Sequence, residues 1–269
     1  MADDLPTPGD PTRAALAPRP WGPIASAWWT LLAVLVLGGL RLATTIGFAI
    51  ARLAANRQAD PAGLAGDGVV VAVGILIAAP VAVLLVAFLA AVRGGRVGDY
   101  LAIRPPTARA LVLGVATLIL GLAALDGLTI YLRRPIVPPV PLAVIATAPL
   151  GLVALAVAAT LPAAEEVLFR GFLYRGLADS PRFGPGMAIG LTALAWTAAS
   201  LRVDPTAGPA RTWGDLAAQV DLYHLAGVYL LGLYLGLVRH LSGSVPLVIL
   251  LHGLASIAAV AEAIYLDGP

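Results

Sequence analysis

The chain has 269 residues, of which 59% are hydrophobic and only 12% are charged, and its mean hydropathy is +0.91. Soluble globular proteins carry about 25% charged residues, so this composition predicts an integral membrane protein embedded in the lipid bilayer. The absence of cysteine excludes disulfides and thiolate chemistry, and a net charge of +2 without a dense basic run argues against nucleic-acid binding.

Residues 1–20 are rich in proline, aspartate and alanine and lack the basic stretch and short apolar core of a signal peptide. They predict a disordered cytoplasmic tail. The rest of the chain contains apolar segments of the length that a helix needs to cross about 30 Å of hydrocarbon. The sequence therefore predicts an all-α fold, a polytopic transmembrane bundle of about seven spans, the fifth being the shortest. The predicted spans are Ala25–Ala51, Gly68–Val92, Ala110–Leu132, Pro141–Ala164, Gly186–Leu201, Leu216–Val238 and Val245–Leu266.

The distribution of arginine predicts an orientation. All 17 basic residues are arginines, and short basic loops tend to stay in the cytoplasm. Placing the N terminus inside puts more of them on the cytoplasmic side than outside. The lack of lysine, together with abundant Ala, Gly, Pro, Leu and Val, suggests a GC-rich bacterial genome. We therefore expect the inner (cell) membrane of a bacterium, with a cytoplasmic N terminus.

The stretch PAAEEVLFRGFLYRGL, residues 162–177, places two adjacent acids, Glu165 and Glu166, beside an apolar run. Ionisable groups inside a bilayer are costly and need a partner or water. Arg170 lies four residues after Glu166, the spacing and order that favour an ion pair on one helix face. Glu165 points about 100° away and could hold a water, a metal or a partner side chain. Alternatively, both acids belong to a solvated helix end beyond the bilayer.

Two further pairs of polar or aromatic residues are spaced by four. His252 and Ser256 lie on one face of the last span, where a buried histidine either transfers protons, binds a metal or is merely hydrogen-bonded. Trp196 and Ser200 lie in the fifth span and by themselves indicate an ordinary packing helix.

Structural or interfacial roles are favoured for the remaining polar residues within or beside the spans. Asp221 and His224, three residues apart in the sixth span, are the one pair among these that could extend a polar site. Arg239 and His240 predict a cytoplasmic loop. The other members of this group are Arg41, Asp126 and Glu262.

The order of these features resembles the CAAX-protease and bacteriocin-processing (CPBP) family of intramembrane proteases, also called the abortive-infection family. Its first motif, Glu-Glu-x-x-x-Arg, is matched by Glu165, Glu166 and Arg170, with Gly171 following. The resemblance covers about residues 140–266, so the chain divides into the tail 1–20, N-terminal transmembrane helices 21–140 and a CPBP-like protease core 141–269.

Two other family motifs are present in altered form. The second, Phe-x-x-x-His, corresponds to Trp196 through Ser200, so an aromatic residue is kept and the histidine is replaced by serine. The third is a histidine followed four residues later by asparagine or aspartate. Here His252 matches, and Ser256 replaces the amide or acid.

The resemblance implies hydrolysis of a peptide bond inside a helical bundle. By position, Glu165 would be the general base, Glu166 a ligand or orienting acid held by Arg170, and His252 a ligand or oxyanion donor, with Ser200 and Ser256 in support. The family also implies a divalent metal such as zinc, with Glu166 and His252 as tentative ligands. A catalytic zinc usually keeps three protein ligands, and the serine in the second motif removes one of them.

Three functions remain open. The first is an intramembrane endopeptidase of the CAAX-protease type, in which glutamate activates water to cleave a membrane-associated peptide or lipidated protein near the cytoplasmic face. The second is an inactive relative, a pseudoprotease that binds a membrane protein partner in the same cavity. The third, a transporter or channel, needs a continuous polar path that the scattered polar residues do not establish.

Overall fold

The computed structural model describes residues 21–55, 67–94, 96–133, 147–201 and 220–266. Within these residues the chain is helical and contains no strand, which confirms the predicted all-α fold class. A one-turn helix, Val97–Tyr100, precedes the third of seven longer helices. Numbered in chain order, these are α1 Pro23–Ala55, α2 Gly68–Val92, α3 Ala108–Tyr131, α4 Leu150–Ala178, α5 Gly184–Ala199, α6 Leu222–Ser242 and α7 Val245–Leu266.

Six of the helices are long and apolar enough to cross a bilayer, and α5, with 16 residues, is shorter. At about 1.5 Å per residue, α5 spans about 24 Å, less than the hydrocarbon thickness of about 30 Å. Large apolar side chains face outward, as expected where lipid is the solvent. Examples more than half exposed are Leu84, Phe88, Leu120 and Leu230. The chain is thus an integral membrane protein, as its composition predicts.

The predicted spans match α2 and α7 at both ends, whereas α4 continues from the predicted end at Ala164 to Ala178. Two charged residues in this extension, Glu166 and Arg170, form an ion pair inside the bundle. Glu166 and Arg170 are fully buried. The solvated helix end considered for the two glutamates is therefore wrong. The predicted start at Pro141 and the tail 1–20 lie outside the described residues.

Local signals in the sequence explain where several helices begin and end. Asp67 and Asp221 each cap a helix, because their carboxylates accept hydrogen bonds from two backbone amides in the first turn of α2 and α6. Asp221 is therefore a structural cap. Gly243, with φ +67°, ends α6 in the left-handed conformation that glycine adopts readily. Arg239 and His240 belong to the last turn of α6, so their predicted loop is wrong.

Helix α4 occupies the middle of the bundle. It packs against α1, α2, α5 and α7, while α6 packs against α5, α7 and α3. Buried alanines on α2, namely Ala78, Ala79, Ala82 and Ala90, allow its backbone to approach its neighbours closely. Because α4 is surrounded by other helices, polar side chains on it can face protein instead of lipid.

Candidate active site

The winding of α4 changes on both sides of the glutamate pair. Residues Ala154–Thr160 and Val167–Leu173 are π-helical, and the α-helical stretch Leu161–Glu166 lies between them. Proline contributes: Pro162 lacks the amide that would bond the carbonyl of Ala158 in an α-helix. Single π turns within α-helices are rare and are frequent at functional sites.

Glu166 and Arg170 form a buried ion pair. Arg170 Nη1 lies 2.9 Å from Glu166 Oε1, and both side chains have no solvent exposure. The second terminal nitrogen, Nη2, donates to the backbone carbonyl of Gly232 on α6 at 3.1 Å. The pair predicted from the spacing of four residues is therefore confirmed, and it also ties α4 to α6.

His252 of α7 joins the two glutamates. Its Nδ1 lies 2.8 Å from Glu166 Oε1, and its Nε2 lies 3.9 Å from Glu165 Oε2. An ionised carboxylate can only accept hydrogen bonds, so the proton on Nδ1 is donated to Glu166. This bond fixes the ring and presents Nε2 on the side of Glu165. Glu166 therefore orients the imidazole, and Glu165 lies beside its other nitrogen.

Trp196 of α5 contacts three members of the site. Its indole Nε1 donates to Glu165 Oε2 at 2.8 Å. Its ring meets the imidazole of His252 edge-on at 5.0 Å between centroids, and the guanidinium carbon of Arg170 lies 4.8 Å from its ring centroid. The sequence alone indicated a packing residue. Its N–H, which a phenylalanine in this motif would lack, is the signal that could have revealed a polar role.

A cavity of about 470 Å³ opens beside these residues, within the range of about 300–1,000 Å³ typical of ligand sites. Four of the sequence-predicted site residues line it together: Glu165, Ser200, His252 and Ser256. They come from α4, α7 and the end of α5, so separate helices bring them to one place. Glu166 does not line the cavity and lies behind His252.

Other polar residues also line this cavity although the sequence favoured structural roles for them. They are Arg41, Asp126, His224 and Glu262. The carboxyl groups of Asp126 and Glu262 lie near each other. His224 thus reaches the same cavity as His252, as considered from the sequence.

A close approach of two backbones places His252 against α4. The next residue, Gly253, lies so near that an added Cβ would overlap the carbonyl oxygen of Ala158. Only glycine leaves room for this contact. The π-helical segment of α4 therefore packs directly against Gly253 of α7. This contact sets the position of the neighbouring imidazole of His252.

Comparison with known proteins assigns this region to a family. Residues 146–258 match the family model described as "Type II CAAX prenyl endopeptidase Rce1-like". This stretch of the chain is similar to the Rce1-like family. The match runs from just before α4 to just past Ser256 and includes the three motif regions. It confirms the resemblance predicted from those motifs and supports a protein of the CAAX-protease type. No curated protein and no solved structure matches the chain.

A catalytic zinc needs about three protein ligands. The described residues contain no group of three His, Cys, Asp or Glu side chains that could hold a metal ion. Glu165 and His252 offer donors at the cavity wall, but Glu166 Oε1 is already shared by Arg170 and His252. Ser200 offers only a hydroxyl. This donor set does not fit a catalytic zinc, which stays an untested prediction.

One further residue of the Rce1-like region was missed by sequence reasoning. Arg239 is almost fully buried, and its Nε donates to the backbone carbonyl of Arg170 at 3.1 Å. Its guanidinium carbon lies 5.4 Å from the ring centroid of Tyr174. Arg239 thus binds the π-helical backbone from which Arg170 reaches Glu166. In the sequence, Arg239 is only a basic residue near the helix end at Gly243, and nothing in that pattern predicts its bond to the carbonyl of Arg170.

Proposed function

We propose that this protein is an intramembrane endopeptidase that cleaves a membrane-associated peptide or lipidated protein, with Glu165 as the general base. The observation that carries the proposal is the pairing of Glu165 and His252 on the wall of one cavity, each held by a second group. Trp196 holds the carboxylate and Glu166 holds the imidazole. The family match supports the same reaction class.

The chemistry follows from these positions. Glu165 takes a proton from a water molecule, whose oxygen bonds to the scissile carbonyl carbon. The resulting oxyanion is stabilised by a hydrogen-bond donor at the wall, for which the hydroxyl of Ser256 is available. The C–N bond then breaks, and Glu165 returns the proton to the leaving amine. The products are a peptide with a new C-terminal carboxylic acid and a second fragment with a new N-terminal amine, and one water is consumed.

Glu166 and Arg170 act as positioning residues in this mechanism. Glu166 and Arg170 pair with each other inside the bundle, and Glu166 also bonds the imidazole of His252. A neutral, internally paired cluster costs far less in a low-dielectric bundle than isolated charges do. The pair of Glu166 and Arg170 therefore holds the imidazole of His252 in place beside Glu165.

The test is cleavage of a quenched fluorescent peptide with a farnesylated C-terminal CAAX sequence, using purified protein in lipid nanodiscs. Glu165→Gln should lower kcat at least about 100-fold, because general base catalysis contributes about 10²–10⁴. Asp179→Asn, a change at the half-exposed residue that caps the C-terminal end of α4, serves as the matched control and should stay within about twofold of the wild type. Equal activity of Glu165→Gln and the wild type would remove the proposal.

The pseudoprotease stays the second candidate because Ser200 stands where the family has an imidazole. A hydroxyl can bind water but is a poor proton carrier near neutral pH. Ser200→His restores the family residue at the cavity wall. The pseudoprotease is favoured if the wild type binds the peptide without cutting it and the Ser200→His variant cleaves it. Cleavage by the wild type would exclude it.

We also propose that the N terminus lies in the cytoplasm of a bacterial cell, with the C terminus outside, on the basis of the arginine distribution. The proposal depends on α5 crossing the membrane despite its 16 residues. An alkaline phosphatase fused after residue 269 should be active, and a green fluorescent protein there should be dark. The opposite result would place both termini on one side.

A further inference from the structure

The cavity extends from Glu165 and His252 toward one end of the bundle. On α7 its lining continues from His252 in the C-terminal direction as far as Glu262, and on α6 it begins in the first turn. On α3 it is confined to residues 122–129, within about the last three turns. On α5 it reaches past the helix end to Leu201. The cavity therefore approaches the end of the bundle at which α3, α5 and α7 end and α6 begins, which we call the cavity end.

In the opposite direction the bundle is filled. This closed end is formed by the turns that join α4 to α5 and α6 to α7. Glu166 and Arg170 lie on that side of Glu165 and have no solvent exposure. Beyond them, the helices pack fully buried apolar side chains, namely Leu168, Phe172, Leu235, Leu247 and Leu251. Packing as dense as a protein interior leaves no passage for a peptide among these described residues. Entry to Glu165 is therefore from the cavity end.

The lining becomes polar toward the cavity end. The polar side chains between Glu165 and that end are Asp126, Thr129, Ser200, Tyr223, His224 and Glu262. At the outer limit of the lining, Leu201 is 48% exposed. Polar and ionisable side chains inside a membrane bundle face water-filled cavities and mark the paths of polar ligands. Hydrolysis at Glu165 consumes water, and this polar stretch supplies a route for it.

The two ends of the bundle differ in arginine content. The closed end has seven described arginines: Arg93, Arg96, Arg104, Arg109, Arg175, Arg182 and Arg239. The cavity end has two, Arg52 and Arg133. Over the whole sequence the closed end keeps the excess, because the segments that join helices at the cavity end add four arginines and the segment before α1 adds two. Short arginine-rich loops stay in the cytoplasm, which favours a cytoplasmic closed end.

We propose that the catalytic cavity is entered from the side of the membrane opposite the cytoplasm, so that the enzyme cleaves membrane-anchored peptides exposed on that side. The inference rests on the proposed endopeptidase function and on the proposed orientation. The sequence predicted cleavage near the cytoplasmic face because the span was expected to end at Ala164. Instead α4 continues for 12 residues beyond Glu166, about 18 Å, to Ala178. The glutamates thus lie deep in the bundle, and the cavity connects them to the other side.

The experiment uses the absence of native cysteine, since a single introduced cysteine then reports only its own accessibility. Cysteine replaces Ala259 in the cavity wall, Arg52 at the cavity end of α1, or the exposed Arg182 at the closed end. Bacterial spheroplasts that express each variant are treated with a membrane-impermeant maleimide, before or after permeabilisation. Ala259→Cys and Arg52→Cys should be labelled in intact spheroplasts, and Arg182→Cys only after permeabilisation. Ala199→Cys, at a second lining position, should behave as Ala259→Cys does.

Three labelling patterns overturn the inference. If Arg182→Cys is labelled in intact spheroplasts while Ala259→Cys and Arg52→Cys need permeabilisation, the cavity faces the cytoplasm. If Ala259→Cys needs permeabilisation although Arg52→Cys does not, the cavity opens at the arginine-rich end. If both Ala259→Cys and Ala199→Cys resist the reagent even in permeabilised cells, water does not enter the cavity from either side.

A turnover measurement separates the inference from the proposed function. The quenched farnesylated peptide, extended with charged residues so that it cannot cross the bilayer, is added to right-side-out and to inside-out membrane vesicles. Right-side-out vesicles should cut it, and prior labelling of Ala259→Cys should abolish this cleavage. Cleavage by inside-out vesicles alone overturns the inference and leaves the proposed function standing. If neither preparation cuts the peptide but the cysteines are labelled as expected, the side of entry is supported and the proposed function fails.

Discussion

Replacing Glu166 by glutamine should destabilise the fold strongly, because it leaves the charge of Arg170 buried without its counter-ion. The two side chains are 2.9 Å apart and have no solvent exposure. Breaking a buried ion pair by removing one partner costs about 3–5 kcal/mol. For chains of this size, about 2–4 °C of melting temperature corresponds to 1 kcal/mol, so we expect Tm to fall by about 6–20 °C. Thermal unfolding of the purified protein in nanodiscs, followed by tryptophan fluorescence, measures the change.

The same helix provides a matched control. Arg175 and Asp179 form an ion pair with the same spacing of four residues at 3.3 Å, but these side chains are 21% and 45% exposed. Exposed pairs contribute about 0–1 kcal/mol, so Asp179→Asn should change Tm by no more than about 4 °C. If Glu166→Gln and Asp179→Asn shift Tm equally, burial of the Glu166 pair has no energetic consequence and the reasoning fails.

A double variant separates the lost pair from the unpaired charge. Glu166→Gln with Arg170→Met removes both charges, and a buried pair can be replaced by neutral groups at little cost. The double variant should therefore be more stable than the sum of the single changes implies, with a coupling of about 1–3 kcal/mol. Additive effects would show that Arg170 is stabilised by Gly232 and Trp196 without help from Glu166.

Three further changes test other contacts of the site. Gly253→Ala should lower stability by about 1–3 kcal/mol and reduce cleavage, because the new methyl displaces α7; Gly121→Ala, with open space around it, should be neutral in the same thermal assay. Trp196→Phe keeps an aromatic ring but removes the hydrogen bond to the carboxylate of Glu165, and such a bond contributes about 1.5–3 kcal/mol. We therefore expect kcat/KM to fall about 10–100-fold. Trp29→Phe on α1 is the control and should leave kcat/KM unchanged. Arg239→Gln should lower unfolding free energy by about 1.5–3 kcal/mol, and an unchanged Tm would refute its role in holding α4.

Much of the fold could be predicted because lipid imposes a simple rule on each helix separately. A long apolar run must become a helix, and caps such as Asp67 and breakers such as Gly243 mark its ends. The rule fails for α4, where the charges after Ala164 looked like an exit from the bilayer. Those charges also bond groups on other helices, namely Gly232, Trp196 and His252, and no single segment of sequence contains that information.

The candidate site was predictable in part for the same reason. Spacing along one helix revealed the pair of Glu166 and Arg170, and motif order indicated that His252 would join them. Two other features depend on how the helices pack together. Trp196 donates its indole N–H to Glu165 on another helix, and Arg41 of α1 lines the same cavity. Such contacts are fixed by how helices rotate and pack, which residue types alone do not specify.

The two adjacent glutamates have separate roles because one helical step divides them. Successive residues of an α-helix point about 100° apart, so a helix at the centre of a bundle can turn one acid toward a cavity and the next toward packed neighbours. Glu165 is 20% exposed and lines the cavity, whereas Glu166 is fully buried and bonds both Arg170 and His252. Loss of the first should therefore reduce turnover in a folded protein, and loss of the second should reduce turnover by loosening the fold that holds the imidazole. Measuring kcat and Tm on both glutamine variants distinguishes these effects, since a catalytic pair acting as one unit would give the same two values for each.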